Sequence, residues 1–149
     1  MLKSRPKSKL RAMKTRAVID TNILVSGFIS PLNPPGRIFD AVLEKACLLV
    51  ADDRILDEYQ RVFLRPKFDA YVSRRKRAEL VQRLHRLAFL TISTEAIPHL
   101  PDPKDACFLE VARTAGVPLV TGNLAHFPED LRAGVEVLTA KDFIVRHGF

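Results

Sequence analysis

The chain contains no tryptophan, and only two cysteines, two methionines and two tyrosines among its 149 residues. Cys47 and Cys107 each lie within an apolar stretch, and neither has a Cys or His neighbour at metal-ligand spacing. That excludes a disulfide framework, and both thiols read as reduced, buried and cytosolic. No apolar run approaches the roughly 20 residues needed to cross a bilayer, and the basic N-terminus is not followed by the apolar core of a signal peptide. A cytoplasmic location is expected. Repeats and low-complexity stretches are also missing. What is present suffices for one domain: hydrophobic residues make up 47% of the chain, enough to fill a core and to exclude disorder of the whole.

The formal net charge of +7 is unevenly spread. Of the 24 Lys and Arg, seven fall within residues 1–16 (Lys3, Arg5, Lys7, Lys9, Arg11, Lys14 and Arg16), where there is no acid; this leaves 17 bases against 17 acids in the rest. The expected organisation is a basic flexible tail over 1–15 and one domain over 16–149, with residues 17–149 carrying no net charge. Met13-Lys14-Thr15-Arg16 leads straight into the first apolar run, so Met13 is an alternative start. A genuine tail would add salt-sensitive, sequence-independent affinity for RNA.

In the body, short apolar runs alternate with amphipathic segments. The pattern predicts strands at Ala17–Ile19, Leu48–Ala51, Leu90–Ser93, Val117–Thr121 and Val135–Leu138. Helices are predicted over Thr21–Ile29, about Arg37–Ala46, Asp53–Phe63, a long one capped by Ser73 and reaching roughly Phe89, Asp105–Ala115 closed by Gly116, and a last one capped by Thr139. Uniformly apolar strands separated by helices argue a parallel sheet of four to five strands covered on both faces, an α/β three-layer sandwich. In such sheets the ligand crevice lies beyond the carboxyl ends of the strands, where the strand order reverses.

Several carboxylates fall at those ends. Asp20 follows the first strand directly, as either an N-cap or a site residue. In the helix after the second strand, Ile55, Tyr59 and Val62 form one stripe, and Glu58 falls within it or at its solvated edge; Asp57 falls on the charged side with Arg54 and Arg61. Asp105 heads a stripe of Phe108, Leu109 and Ala112, as a site residue or a first-turn aspartate favoured by the helix dipole. Asp102 is a turn residue or a second ligand, and Glu110 is read as solvated. Carboxylates converging without a His or Cys cluster suit a hard cation such as Mg²⁺ or Mn²⁺, which bridges carboxylates to phosphates and activates water.

These residues resemble a PIN domain, the metal-dependent ribonuclease domain found in toxins of bacterial and archaeal toxin–antitoxin pairs. The matching segments are Ala17–Ser26, Ile55–Tyr59, Asp102-Pro103-Lys104-Asp105 through Ala112, and Leu119-Val120-Thr121-Gly122-Asn123. Their ordered set covers nearly the whole chain from about Met13. The resemblance implies that Asp20, Glu58 and Asp105 are the acidic triad that holds Mg²⁺ or Mn²⁺. Asp102 would be an additional acid, and Asn22 a polar residue that positions water or a carboxylate. Asn123 stands where many such domains have a fourth Asp, which leaves a second metal in question. Thr121 either contacts a carboxylate or phosphate or caps its strand. The implied activity is endonucleolytic hydrolysis of RNA, with a cognate antitoxin and a homodimer as the implied partners. The alternative is a non-catalytic RNA-binding or RNA-processing module on the same fold.

Two further features stand outside that set. Arg74-Arg75-Lys76-Arg77, with Arg83 and Arg86, makes the long helix basic on its outer side, as a solvated face or an RNA contact. His126 is read as a substrate contact or a loop-packing residue. Phe28, Phe39 and Phe63 are assigned to the core.

Overall fold

Every strand of the sheet runs in the same direction, and parallel pairing requires a crossover after each strand, a task the helices perform. The computed structural model describes residues 15–149, so the basic residues from Lys3 to Lys14 lie outside the described residues. Five strands, β1 (Thr15–Ile19), β2 (Cys47–Ala51), β3 (Phe89–Leu90), β4 (Leu119–Val120) and β5 (Val137–Leu138), form one sheet in the order β3-β2-β1-β4-β5. The register pairs Ala17 with Leu49 on one side of β1 and Ile19 with Val120 on the other. Six helices flank it: α1 (Thr21–Ile29), α2 (Pro34–Leu43), α3 (Asp53–Phe63), α4 (Arg74–Leu87), α5 (Ala106–Ala115) and α6 (Ala140–His147). This is the expected α/β sandwich.

The core centres on β1 and β2, where Ala17, Val18, Ile19, Leu49 and Ala51 are wholly shielded from solvent. Strands buried on both faces have no polar side to alternate with, hence their uniform apolar runs. Phe39 and Phe63 are buried with Phe28 packed between them, ring centroids 5.8 and 5.9 Å away, and Cys47 and Cys107 are free and buried.

Local chemistry shifts several boundaries. Helix α2 starts at Pro34, not Arg37, because the Asn33 side chain accepts the Gly36 amide at 2.9 Å and prolines in a first turn forfeit no hydrogen bond. It ends at Leu43, three residues before the predicted Ala46, and Lys45 follows with a φ of 64°. Asp105 lies in a 3-10 turn (Pro103–Asp105), and α5 begins one residue later and closes on left-handed Gly116. Strands β3 to β5 shorten to two residues each, and β3 moves to Phe89–Leu90, where it meets Val50 and Ala51 of β2. Ser73 and Thr139 cap α4 and α6 as read from the sequence, accepting the Lys76 and Asp142 amides at 3.2 and 3.1 Å.

Candidate active site

Strand order steps outward from β1 to β2 and β3, then returns to the other side of β1 for β4 and β5. The reversal therefore lies between β1 and β4, where a parallel sheet opens a crevice at the strand tips. Asp20 ends β1 at this point and is only 7% exposed. It occupies the N-cap position of α1, yet its side chain makes no capping hydrogen bond. Instead, Thr121 at the tip of β4 donates its hydroxyl to Asp20 Oδ2 at 2.7 Å, and the Asn123 amide donates to Thr121 Oγ1 at 3.1 Å. Burial raises the Asp20 carboxyl above the ordinary range, against the Thr121 hydrogen bond and the nearby Asn22 and Thr21 amides, which favour its charged form.

Glu58 is half-buried at the edge of the inward stripe of α3 and accepts a short hydrogen bond from the Thr21 hydroxyl. Its neighbour Tyr59 is fully buried and donates to the Ile19 carbonyl at 2.5 Å. A buried phenol needs such a partner, and this one pins α3 against the last residue of β1. Asp52 caps α3 by accepting the Ile55 amide at 3.0 Å.

Asp105 brings a third carboxylate. It is pushed up to about 6, first by burial and then by the charge of Asp20, with Asp102 adding and His126 opposing. His126 Nδ1 lies 2.9 Å from Asp105 Oδ2, but that oxygen is sealed from solvent and has no aligned hydrogen-bond donor. Asp102 is a turn residue: its carboxylate accepts the Lys104 amide at 3.0 Å. Asn22 is exposed on the first turn of α1, and Asn123 is half-buried just past β4.

Beside Glu58 a cleft of about 520 Å³ opens between α3 and the start of α5, with Arg54, Arg61, Lys104 and Cys107 on its walls. Among the described residues, no three His, Cys, Asp or Glu side chains are grouped closely enough to hold an ion alone. Mg²⁺ does not require that, because it keeps several waters and uses one or two carboxylates together with substrate phosphate. Asp105 Oδ2, close to His126 but without an aligned hydrogen bond, and the Asp20 charge that acts on Asp105 would suit such a cation.

The chain matches the PIN domain family over residues 16–125. It belongs to that family. PIN domains are generally nucleases, and this PIN domain is similar to the uncharacterized protein MJ1680 of Methanocaldococcus jannaschii, at 28% identity over 120 residues, covering 77% of this chain and 75% of that protein. Its fold also resembles that of PAE2754 from Pyrobaculum aerophilum, with a TM-score of 0.55, 11% identity and 90% of each chain covered. No helix among the described residues is long and apolar enough to cross a membrane.

Two readings of this PIN domain's sequence are corrected. Glu110, read as solvated, is 7% exposed: it accepts from Arg54 at 2.7 Å and from the Ile97 amide at 2.9 Å, tying the 91–102 segment to α5. Arg77, read as part of an outward basic face, is 1% exposed and binds the carbonyls of Phe63, Arg65 and Val72 and the Asp69 carboxylate. In both, a charged side chain reaches groups distant along the chain, the Ile97 amide and the Phe63 carbonyl among them, a need that helical periodicity does not register. Thr21 was missed as a partner of Glu58; a hydroxyl next to Asp20 at the strand tip was the available signal. His126 lies beside Asp105, with its side chain 43% exposed.

Proposed function

We propose that this PIN domain is a Mg²⁺- or Mn²⁺-dependent endoribonuclease and the toxin of a toxin–antitoxin pair. The observation that carries the reading is Asp105: its Oδ2 has no aligned hydrogen bond although His126 Nδ1 lies 2.9 Å away, and burial first, then the charge of Asp20, raises its affinity for protons, so a cation beside it would relieve both. Asp20 and Asp105 would hold the cation, with Glu58, and Asp102 would add negative charge nearby. When bound, the cation supplies Lewis acidity to a phosphate oxygen and lowers the pKa of a water.

The chain's own groups do the rest. Thr121 donates to Asp20, fixes its direction and favours its charged form against the effect of burial, and Thr21 donates to Glu58 and fixes its direction. Tyr59 keeps α3 at a set height against β1. Asn22 and Asn123 are neutral amides at the rim, suited to orienting water or a ribose hydroxyl. Arg54, Arg61 and Lys104 line the cleft together with Asp57, Glu58 and Glu110; Arg54 is paired with Asp52 and Glu110 and Arg61 with Asp57, so Lys104 and the exposed edge of Arg61 are the groups that would meet a flanking RNA phosphate. The substitution of Asn123 for a fourth acid favours one cation over two.

The test is cleavage of a single-stranded RNA with Mg²⁺ or Mn²⁺ and with EDTA. Metal-dependent scission that disappears in Asp20→Asn and Asp105→Asn supports the reading; undiminished scission in both variants overturns the site. RNA binding without scission in the wild type supports the non-catalytic alternative. The toxin role predicts growth arrest on expression, relieved by co-expression of an antitoxin from the neighbouring reading frame, and light scattering tests the homodimer.

A further inference from the structure

We infer that Arg54 is a stacking platform for a nucleobase, and that the cleft beyond the tips of β2 and β3 is a base subsite for single-stranded RNA; the inference rests on the RNA-cleavage reading above. Arg54 stands on the wall of two clefts, the one beside Glu58 and another of about 330 Å³ bordered by Asp52, Asp53, Leu90 and Ile92. Its guanidinium is clamped: Nε donates to Asp52 Oδ2 and Nη1 to Glu110 Oε1, both at 2.7 Å. Guanidinium N–H bonds lie in the plane of the group, so these two bonds fix the plane and spend its edges on carboxylates. The side chain is nevertheless half exposed. A fixed flat cation with its edges occupied offers its faces, and unstacked bases of single-stranded RNA are bound on such planes.

The composition of the second cleft selects a base over a phosphate. Asp52 and Asp53 outnumber its one cation, and that cation is already paired. The exposed Asp53 carboxylate repels a phosphate but can accept from the amino group of a base. The rest of the wall is largely apolar: Leu90 is exposed, and Ile92 is 88% exposed and adds nothing to the core. The chain that carries them is held on both sides, the Thr91 amide donating to the Ala51 carbonyl at 2.9 Å and the Ser93 hydroxyl to the Glu110 carbonyl at 3.2 Å. A strand whose phosphates meet Lys104 beside Glu58 would turn one base across Arg54 and against Ile92.

Metal-dependent cleavage of a short single-stranded RNA with one mapped scissile phosphate tests this, using a series of substrates in which a single ribose lacks its base. The proteins are the full chain, Arg54→Lys, which keeps the charge without the plane, and Ile92→Ser, at a position too exposed to disturb the fold. At one position flanking the scissile phosphate, removal of the base is expected to lower the wild-type kcat/KM about tenfold. In Arg54→Lys that penalty is expected to fall to about twofold or less, and in Ile92→Ser to fall severalfold. Should Arg54→Lys fail to fold, Ile92→Ser decides alone. Scission that is insensitive to base removal at every position overturns the subsite and leaves the cleavage reading standing. A penalty kept in full by either folded variant does the same; if only Ile92→Ser keeps it, Arg54 acts by holding Glu110. No scission of the intact RNA by the wild type overturns both.

Discussion

Thr121 and Asp20, 101 positions apart in the chain, meet in a buried hydrogen bond of 2.7 Å at the point where the sheet order reverses. The bond joins the tips of β1 and β4 across the crevice. It turns the Asp20 carboxylate toward β4.

Replacing Thr121 by valine keeps the shape of the side chain and removes the only side-chain donor to Asp20 among the described residues. The variant is expected to lose about 1–3 kcal/mol, the usual cost of stranding a buried acceptor. Because the lost bond favoured the charged form, the Asp20 carboxyl moves further up. The deficit is therefore greatest at pH 7–8, where Asp20 is charged, and shrinks as acid neutralises it. Urea unfolding at several pH values checks this.

The Asp105 carboxyl, at about 6, binds protons more readily in the folded chain than its ordinary value of 3.8 would allow. Below the ordinary value both states are protonated and nothing is lost; as pH rises through about 6 the folded state carries the full penalty. Asp105→Asn removes it. Discounted for solvent around the loop, the gain is about 1–2 kcal/mol at pH 7.5 in a chelating buffer, and it vanishes toward pH 4. Saturating Mn²⁺ is expected to narrow or reverse the difference, since only the wild type retains that ligand.

Glu110 is sheltered on α5 and paired with a half-exposed Arg54 and with the Ile97 amide. Arg54→Ala leaves the glutamate short of its cation, with an expected cost of about 2 kcal/mol. Glu110→Ala strands the amide instead and is expected to loosen the 91–102 segment specifically. Hydrogen exchange should show faster exchange at Ile97 while the amides of β1 and β2 keep their protection.

The basic residues divide into two classes. Arg77→Lys preserves charge but cannot reach three carbonyls and a carboxylate with a single ammonium, so it is expected to lower stability by about 2–3 kcal/mol. At a temperature where it remains folded, its RNA affinity is unchanged. Arg61→Glu with Lys104→Glu is expected to do the opposite, leaving the unfolding midpoint nearly unaltered while weakening RNA binding and flattening its salt dependence. Filter binding over a salt series separates the two.

The sequence by itself determined the layers of this protein and the place of its first carboxylate. Short, wholly apolar runs between amphipathic segments argue buried parallel strands, helical stripes recur at short range, and Asp20 follows its strand without an intervening residue. Helices α1 and α3 run over the predicted residues, and Ser73 and Thr139 cap as read, because these features depend on neighbours within a few positions. Tertiary structure decided which distant groups meet. Thr121 reaches Asp20 because β4 returns beside β1, Thr21 reaches Glu58 because Tyr59 fastens α3 to Ile19, and His126 reaches Asp105 because Phe127 anchors its turn. The same is true of Glu110 and Arg77, whose charges turn inward to loop groups that no periodicity along one helix can reveal. Local pattern is set by 2.0- and 3.6-residue repeats, whereas these pairings follow from the order in which strands enter the sheet.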